Sequence, residues 1–188
     1  MTEYHIKNKR MNWYGESIGI LILEASYPCI PGNVGNASTF KFPVRYGVVK
    51  GASIDRLLNQ RDRTLAEPFI EAALKLQNEG VKAITGACGF MILFQEQIKE
   101  ALDIPVFMSS LLQLPFISCL LNKTKKTGII TANRSALTQE HLDRATCDQT
   151  LNLVIYGLEE KDEFRSAVLE EKGSLNSERI ETEILEVT

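Results

Sequence analysis

The chain has 188 residues, of which 44% are hydrophobic, 24% charged and 7% aromatic; these are the proportions of an ordinary globular protein and exclude a disordered, collagen-like or coiled-coil chain. The 21 basic and 24 acidic side chains give a formal charge of -3, so the total carries no basic footprint for nucleic acid or an anionic membrane. This length predicts one generous domain or two small α/β lobes.

Strand and helix patterns alternate through the first half of the chain. Short, almost uncharged apolar runs are typical of strands buried on both faces, and apolar residues at helical spacing are typical of helices packed on them. The Pro- and Gly-rich loop 28–36 cannot be a regular element. The predicted strands are 17–24, 42–50, 81–85 and 104–108, and the predicted helices are 65–79 and 90–101.

The same alternation continues in the second half. Pro115 sets the first turn of a predicted helix in the apolar segment 111–121, and Ser135 is the predicted cap of a helix over 136–145. The remaining predicted elements are strands at 126–131 and 151–156 and helices near 162–171 and 176–187.

The order of these elements predicts the fold class. Strands separated by helices of this length imply parallel βαβ units, because a right-handed crossover needs a helix to cover the sheet. We therefore expect an α/β protein with two Rossmann-like lobes, residues 1–108 and residues 109–188. Ligands bind beyond the carboxyl ends of parallel strands, which here are followed by the loops 25–39, 86–90, 109–110 and 131–135.

The phosphate-binding motifs of nucleotide enzymes are missing from these loops. PGNVGN does not match the dinucleotide fingerprint GxGxxG, and no GxxxxGK[ST] occurs. A nicotinamide enzyme or a nucleoside triphosphatase is therefore not expected.

Cys88 is the candidate for chemistry. It follows a predicted buried strand and lies at the first turn of the next helix, where the helix dipole and unpaired N–H groups stabilise a thiolate, so we expect a lowered thiol pKa. Gly86 and Gly89 let a ligand approach the main chain and leave amides free for a carboxylate or an oxyanion. The alternative is a small buried residue that only packs the strand end, and spacing alone favours neither.

The other cysteines and both histidines are weaker candidates. The cysteines lack CxxC or Cys/His spacing, which predicts reduced thiols and no zinc framework. Cys119 is expected in the core, Cys147 at the opposite edge of the sheet, and Cys29 in a rigid loop beside the site. His141 is expected on a solvated helix face and His5 in a terminus, so no Cys-His or Ser-His-Asp relay is predicted.

Four segments resemble a known family. They are PGNVGNASTFKFPV, EGVKAITGACGFMILFQEQI, IPVFMSSLLQLPF and KTGIITANRSALTQEHL. Together they resemble the aspartate/glutamate/hydantoin racemase superfamily, in its less characterised cytoplasmic branch, from about residue 18 to residue 142. The resemblance implies two pseudo-symmetric α/β lobes with the active site in the cleft between them, and neither cofactor nor metal.

The resemblance also implies a set of site residues. Cys88 is the first of two thiols that face each other across the substrate Cα, one removing the proton as thiolate and the other returning it. The loop with Asn33 and Asn36 covers the cleft. The implied substrate-binding residues at the strand ends are Gly86, Ala87, Gly89, Phe90, Ser109, Ser110, Thr131, Ala132 and Asn133. The alternative is structural: the two serines cap a helix and the two asparagines stabilise turns.

One departure from the superfamily concerns the second thiol. In the superfamily it follows a further strand in the C-terminal half, and no cysteine of this chain occupies that position. We expect a chain without its last strand, second thiol loop and closing helix, and an exposed strand edge favours a homodimer or a higher oligomer.

The predicted function is a cofactor-independent racemase or isomerase that transfers a proton by a thiol at the α carbon of a small carboxylate, an amino acid or a hydantoin. With Cys88 alone, same-face proton exchange is expected. Two alternatives stay open, a carboxy-lyase like arylmalonate decarboxylase and an inactive small-ligand-binding module.

The sequence also predicts where the protein works and what it binds. Residues 1–12 are polar and charged, unlike a secretory signal, and no apolar run approaches the length that spans a bilayer. The expected location is cytoplasmic. The expected partner is a small-molecule carboxylate, with no nucleic acid and no membrane.

Overall fold

The computed structural model describes Glu3, His5 and residues 11–122, 124–145 and 151–188. Cys147 lies outside the described residues. Two parallel sheets form the frame, as expected for an α/β protein.

The first sheet has four parallel strands. The central strand lies between two neighbours, and its first residue, Ile18, is paired with Val44 on one side and with Ala83 on the other. All four strands are short and rich in apolar residues, as is typical of parallel strands packed against helices. In chain order they are β1 (Ile18–Leu23), β2 (Val44–Val49), β3 (Ala83–Gly86) and β4 (Val106–Phe107), and in space they run β2-β1-β3-β4.

Three α-helices and three 3₁₀ segments connect the strands of the first sheet. The longest helix, which follows β2, packs across β1, β2 and β3. The α-helices are α1 (Ile54–Leu58), α2 (Ala66–Asn78) and α3 (Gln95–Ala101), and the 3₁₀ segments are Ala37–Thr39, Arg63–Leu65 and Gly89–Phe94.

The second sheet pairs two parallel strands in register, with Lys126 opposite Asn152. A 3₁₀ segment and four short helices surround it, and one of these helices continues into a π-helix over Arg165–Leu169. The strands are β5 (Lys126–Thr131) and β6 (Asn152–Gly157), the 3₁₀ segment is Ser110–Gln113, and the helices are α4 (Leu114–Leu120), α5 (Gln139–Arg144), α6 (Asp162–Phe164) and α7 (Ser177–Leu185).

The main core lies between the first sheet and its helices. Phe69 of α2 and Phe94 stack with ring centroids 4.7 Å apart, and both side chains are fully buried. Burying an aromatic side chain of this size stabilises the fold by about 2 kcal/mol or more. This stack fixes α2 against the segment that follows β3, and so holds in place the turn that carries Cys88.

Two polar contacts tie the loops of the first sheet to the second. The guanidinium of Arg63 pairs with Glu140 of α5, and the backbone N–H of Ser26 donates to the Glu171 carboxylate just beyond the π-helix. Glu171 itself has a positive φ of 53°, which is uncommon for a residue with a side chain. These two contacts therefore link the surroundings of the two sheets.

Three local predictions differ from the structure. The helix α1 was not predicted, because its five residues are too few to show helical periodicity. The helix expected over 90–101 begins as the 3₁₀ segment Gly89–Phe94. The helix expected after Ser135 begins at Gln139 with Thr138 as its N-cap, since the Asn133 side chain accepts hydrogen bonds from the Ser135 hydroxyl and the Ala136 amide and holds a turn there.

No helix among the described residues is long and apolar enough to cross a membrane. The boundary between lobes at residues 108 and 109 stays a proposal. It is compatible with the sheets, since β4 is the last strand of the first and β5 the first strand of the second.

Candidate active site

A cavity of about 280 Å³ lies where the carboxyl ends of β1, β3 and β5 meet. The π-helix of the second lobe closes it on another side. Its lining residues come from both sheets, and they are Leu23, Tyr27, Asn33, Ile54, Leu58, Ala87, Cys88, Gly89, Phe90, Ser110, Leu111, Ile129, Ile130, Thr131, Ala132, Leu137, Phe164, Val168 and Leu169. This is the edge at which parallel sheets bind their ligands.

None of these lining residues carries a formal charge. The polar side chains that reach the cavity are Tyr27, Asn33, Cys88, Ser110 and Thr131, and the rest of the surface is apolar or backbone. A volume of this size suits a ligand of few non-hydrogen atoms. The described part of the chain also contains no group of three or more His, Cys, Asp or Glu residues that could hold a metal ion.

Cys88 occupies the turn between β3 and the 3₁₀ segment Gly89–Phe94, as N-cap residue with an extended backbone. Part of its surface is accessible in the cavity. Burial raises the pKa of the Cys88 thiol from 9.0 to about 11, and the backbone N–H of Phe90 acts in the opposite direction without making a full capping hydrogen bond. The thiol is therefore protonated at neutral pH.

The expectation of a lowered pKa for Cys88 is wrong. The residues from Phe90 to Phe94 are all buried and apolar, so they remove water from the sulfur, and desolvation favours the neutral thiol. A six-residue 3₁₀ segment also offers less aligned dipole than a long α-helix. Burial outweighs the helix N-terminus at this site.

Gly86 ends β3 where no side chain fits. A Cβ at this position would lie 2.7 Å from the carbonyl oxygen of Met108 and 2.8 Å from the sulfur of Met91. The glycine lets the ends of β3 and β4 approach each other. Gly86 does not line the cavity, and its role is to position Cys88 beside the loop that carries Ser110.

The two serines after β4 have different roles. Ser109 is buried, and its hydroxyl accepts a hydrogen bond from the Leu111 amide at 3.2 Å, so it caps the 3₁₀ segment Ser110–Gln113. Ser110 lines the cavity. The predicted pair thus divides into one structural residue and one residue that a ligand can reach.

The end of β5 supplies the opposite wall. Thr131 and Ala132 line the cavity, whereas Asn133 holds the turn that follows. Within the described residues, no hydrogen bond engages the hydroxyl of Ser110 or of Thr131. Two hydroxyls, one from the loop after β4 and one from the end of β5, are therefore available to a ligand.

The backbone amides of the Cys88 turn are not equivalent. The Ala87 amide donates to the carbonyl of Leu21 at 2.9 Å, so it is not available for a ligand, contrary to expectation. Gly89 and Phe90 begin the 3₁₀ segment, and the first N–H groups of a helix have no intrahelical partner. The Phe90 amide is directed at the Cys88 sulfur, so the Gly89 amide is the backbone donor left at the turn among the described residues.

The loop after β1 is held by its own asparagines. Asn33 lines the cavity, and its side-chain oxygen accepts from the Gly35 amide at 2.7 Å. Asn36 donates to the Cys29 carbonyl at 2.7 Å and accepts from Ser38, so it stabilises the loop and does not reach the cavity.

Tyr27 is a cavity residue that sequence reasoning missed. Burial, with Cys29, Cys88 and Glu171 nearby, raises the pKa of Tyr27 to about 12. The same phenol is a hydrogen-bond partner of Cys29, whose thiol pKa is raised by burial and lowered in part by this contact. Tyr27 is thus a neutral phenol close to Cys88. In the sequence, only its position in YPCIPG directly after a predicted strand indicates that Tyr27 could lie at the cavity.

Gln95 was also missed, because it positions the site from outside. Its buried side chain donates to the Val106 carbonyl at 3.0 Å and accepts from the Met108 amide at 2.9 Å. It thereby continues the hydrogen bonding of β4, which is only two residues long, up to the serine loop. A polar residue within a predicted helix gives no sequence signal of such a contact.

The remaining candidates fall outside the cavity. Cys119 is exposed, so its predicted place in the core is wrong: α4 turns this face to solvent. His141 is fully buried, so its predicted solvated face is also wrong. Its Nδ1 lies 3.1 Å from the Thr138 amide and its ring meets that of Phe90, and burial lowers the pKa of His141 to about 4.

A larger open groove of about 1010 Å³ lies between α6, the π-helix and α7. Its walls are charged, and several of these charges are already paired, as between Arg165 and Asp162 at 2.7 Å. It contains no cysteine or histidine. The smaller cavity at Cys88 is therefore the candidate active site.

Comparison with known proteins gives both a sequence and a structural likeness. The chain is 34% identical over 122 residues, 64% of its length, to dimethylsulfoniopropionate lyase 3 of Emiliania huxleyi (strain CCMP1516), of which this match covers 32%. The chain spans about a third of the length of the curated relatives it matches. No protein family model matches it.

The structural likeness is to two kinds of solved enzyme structure. A glycine-to-cysteine mutant of arylmalonate decarboxylase, in a sulfate-associated form, matches with a TM-score of 0.55 and 11% identity, over 90% of this chain and 71% of that one. Glutamate racemase from Aquifex pyrophilus matches with a TM-score of 0.48 and 17% identity, over 90% and 75%. The predicted α/β fold with two lobes is confirmed by the two parallel sheets and by the likeness to arylmalonate decarboxylase.

Proposed function

We propose that this chain carries a lyase site, in which Cys88 transfers a proton at the α carbon of a small carboxylate while a group leaves the neighbouring carbon. The observation that supports it most is the position of Cys88 in a small uncharged cavity at the carboxyl ends of both sheets. The relatives at 34% identity carry the name dimethylsulfoniopropionate lyase, which favours this reaction class over the racemase expected from the sequence.

The residues of the cavity also favour elimination over racemisation. Inversion at Cα needs an acid and a base on opposite faces of the substrate. In the described part of the chain, Cys88 is the sole cysteine among the lining residues, and His141 is not one of them. An elimination needs one base and a good leaving group, which this cavity can serve with a single thiol.

For dimethylsulfoniopropionate the proposed step balances as follows. The Cys88 thiolate takes a proton from the carbon next to the carboxylate, and the electron pair of that C–H bond forms a double bond to the next carbon. The bond from that carbon to sulfur breaks, and dimethyl sulfide leaves with its electron pair. The products are dimethyl sulfide, acrylate and the Cys88 thiol, which returns its proton to water.

Uncharged donors hold the carboxylate in this proposal. Removing the α proton moves negative charge onto the carboxylate oxygens, where fixed dipoles in a water-poor site stabilise it effectively. The proposed donors are the amide of Gly89 at the Cys88 turn and the hydroxyls of Ser110, after β4, and Thr131, at the end of β5.

The raised thiol pKa is compatible with this role. A thiolate from a thiol of pKa about 11 is scarce at neutral pH, but it is a stronger base than an ordinary thiolate once formed. A sulfonium cation within ~4–6 Å favours the thiolate, because an opposite charge lowers the pKa of a thiol. Binding of the cationic substrate therefore raises the fraction of Cys88 that is present as thiolate.

The test is release of dimethyl sulfide from dimethylsulfoniopropionate, measured in the headspace by gas chromatography. The chain is expected to release it, and the Cys88→Ser and Cys88→Ala variants are expected to lose at least ~100-fold of the rate. Cys29→Ser serves as a matched control, since Cys29 does not line the cavity, and it should keep most of the activity. Undiminished release by Cys88→Ala would remove Cys88 from the proposal.

A carboxy-lyase is the second candidate, favoured by the protonation state of Cys88. Loss of carbon dioxide from a disubstituted malonate leaves an enediolate that needs one proton at Cα, and a thiol that is protonated at neutral pH can donate it. Carbon dioxide release from such a malonate, abolished in Cys88→Ala, with no release of dimethyl sulfide, would favour this candidate.

A further inference from the structure

Three aromatic rings line the cavity at Cys88, and they come from separate parts of the fold. Tyr27 lies in the loop after β1, Phe90 follows β3, and Phe164 ends α6 in the second lobe. None of the three belongs to the same element as another. The fold thus brings aromatic side chains from both lobes to one small volume of about 280 Å³.

Among its described lining residues, the same volume lacks the carboxylate that usually binds a primary ammonium. An –NH₃⁺ group has three donors and needs three acceptors when buried, and a carboxylate is its usual partner. No Asp or Glu lines the cavity within the described residues, and the side-chain oxygen of Asn33 already accepts from the Gly35 amide. The remaining side-chain oxygen acceptors on the wall are the uncharged hydroxyls of Tyr27, Ser110 and Thr131.

A cation without N–H groups has no such requirement. A tertiary sulfonium or a quaternary ammonium cannot donate conventional hydrogen bonds, and aromatic faces attract it through their quadrupoles. The Glu171 carboxylate acts on Tyr27 electrostatically but is not a lining residue, and it accepts from the Ser26 amide. Its field adds attraction for a cation without offering it a contact.

We propose that Tyr27, Phe90 and Phe164 recognise an onium group, a tertiary sulfonium or quaternary ammonium, and so select carboxylates that bear such a group over those that bear a primary ammonium. This inference rests on the proposed function, and it assigns the determinants of its substrate choice. It places the onium group among the rings and the carboxylate toward the amide of Gly89.

The first test measures the affinity of three ligands by isothermal titration calorimetry on the 188-residue chain near neutral pH. Binding is measured directly, so the test does not depend on lyase activity. The ligands are 3-(trimethylammonio)propionate, 3-aminopropanoate and 4,4-dimethylpentanoate. The first two differ in methylation of the nitrogen, and the first and third differ in charge at nearly equal shape.

The onium ligand is expected to bind about tenfold more tightly than either of the others, as desolvated cation–π contacts allow. Equal or tighter binding of 3-aminopropanoate would overturn the proposal, because hydrogen bonds would then dominate. Equal binding of 4,4-dimethylpentanoate would also overturn it, because shape alone would then account for affinity. Absence of binding by all three would count against it as well.

Variants locate the preference within the cavity. Phe164→Leu and Tyr27→Leu are expected to reduce affinity for the onium ligand about five- to tenfold and to leave affinity for 4,4-dimethylpentanoate within about twofold. Tyr27→Phe keeps the ring and should keep the preference. Phe116→Leu is the matched control, since this ring is 67% exposed on α4 and does not line the cavity. Equal losses for the charged and neutral ligands would instead mean loss of packing.

Ligand affinity and release of dimethyl sulfide are measured separately, so this inference and the lyase proposal can fail independently. In Cys88→Ala the onium preference is expected to persist while release of dimethyl sulfide is lost. A chain that binds the onium ligand selectively without any lyase activity supports the aromatic site and contradicts the proposed reaction. A chain that releases dimethyl sulfide but does not prefer the onium ligand contradicts the aromatic site alone.

Discussion

The rings of Phe90 and His141 meet at 84° with their centroids 5.2 Å apart, which joins a wall of the candidate active site to a fully buried histidine on the second lobe. The Nδ1 atom of His141 lies within hydrogen-bond distance of the amide and the hydroxyl of Thr138. The Nε2 atom is buried without a hydrogen-bond partner among the described residues. A neutral imidazole at this position supports Phe90, and protonation there is costly.

The protein is expected to lose stability in mild acid because of His141. Its folded-state pKa of about 4 lies below the ordinary value of 6.5, so the unfolded chain binds the proton first as the pH falls. The free energy of unfolding should therefore drop by about 2 kcal/mol between roughly pH 7 and pH 5. Urea denaturation at each pH measures it.

His141→Asn gives the control for this pH dependence. Asparagine keeps an acceptor for the Thr138 amide but does not titrate, so the variant should be less stable at neutral pH and should lack most of the drop. If the variant shows the same drop as the natural chain, groups other than His141 are responsible.

Cys88 should be slow to react with iodoacetamide. Its pKa, raised by burial from 9.0 to about 11, leaves about 100-fold less thiolate at neutral pH than an ordinary thiol has. Alkylation should accelerate as the pH rises through the range from 9 to 11. Mass spectrometry of peptides separates Cys88 from the exposed Cys119, which serves as the internal reference.

A Cys88 that is modified as fast as Cys119 at neutral pH would contradict this expectation. That result would support the lowered pKa of the Cys88 thiol that is expected from the sequence. Protection of Cys88 by 3-(trimethylammonio)propionate would in addition place the bound ligand over the thiol.

Gly86→Ala should be strongly destabilising, and Gly128→Ala should not. A Cβ at Gly86 meets the Met108 carbonyl at 2.7 Å, whereas a Cβ at Gly128 in β5 meets no heavy atom within 4 Å. The first change forces β3 and β4 apart and should cost about 1–3 kcal/mol, and the second should stay within about 0.5 kcal/mol. Thermal and urea denaturation compare the two; similar losses would argue against the close approach of the two strands.

The strands were the best predicted part of the fold. Those of residues 18–23, 44–49 and 126–131 were placed within about two residues, because each is an apolar run bounded by Gly, Pro or charged residues. The position of the turn at Cys88 was also predicted, because this residue comes directly after a predicted strand and lies between Gly86 and Gly89. Local pattern is sufficient where one element ends and the next begins.

The features that could not be predicted from the sequence depend on contacts between residues far apart in the chain. The burial of His141 depends on its packing against Phe90, far away in the chain, and the raised pKa of Cys88 depends on water removed by buried neighbours. Phe164 lines the cavity at the end of α6, directly before the π-helix. A five-residue π-helix is too short to show a periodic pattern of apolar residues in the sequence. Such features need the three-dimensional arrangement.

The lack of charged side chains on the cavity wall has a consequence for behaviour in solution. Surface ion pairs weaken as counter-ions accumulate, whereas enclosed dipoles and ring faces are little affected by dissolved electrolyte. A small zwitterion held in this way should remain bound in concentrated brine about as well as in dilute buffer.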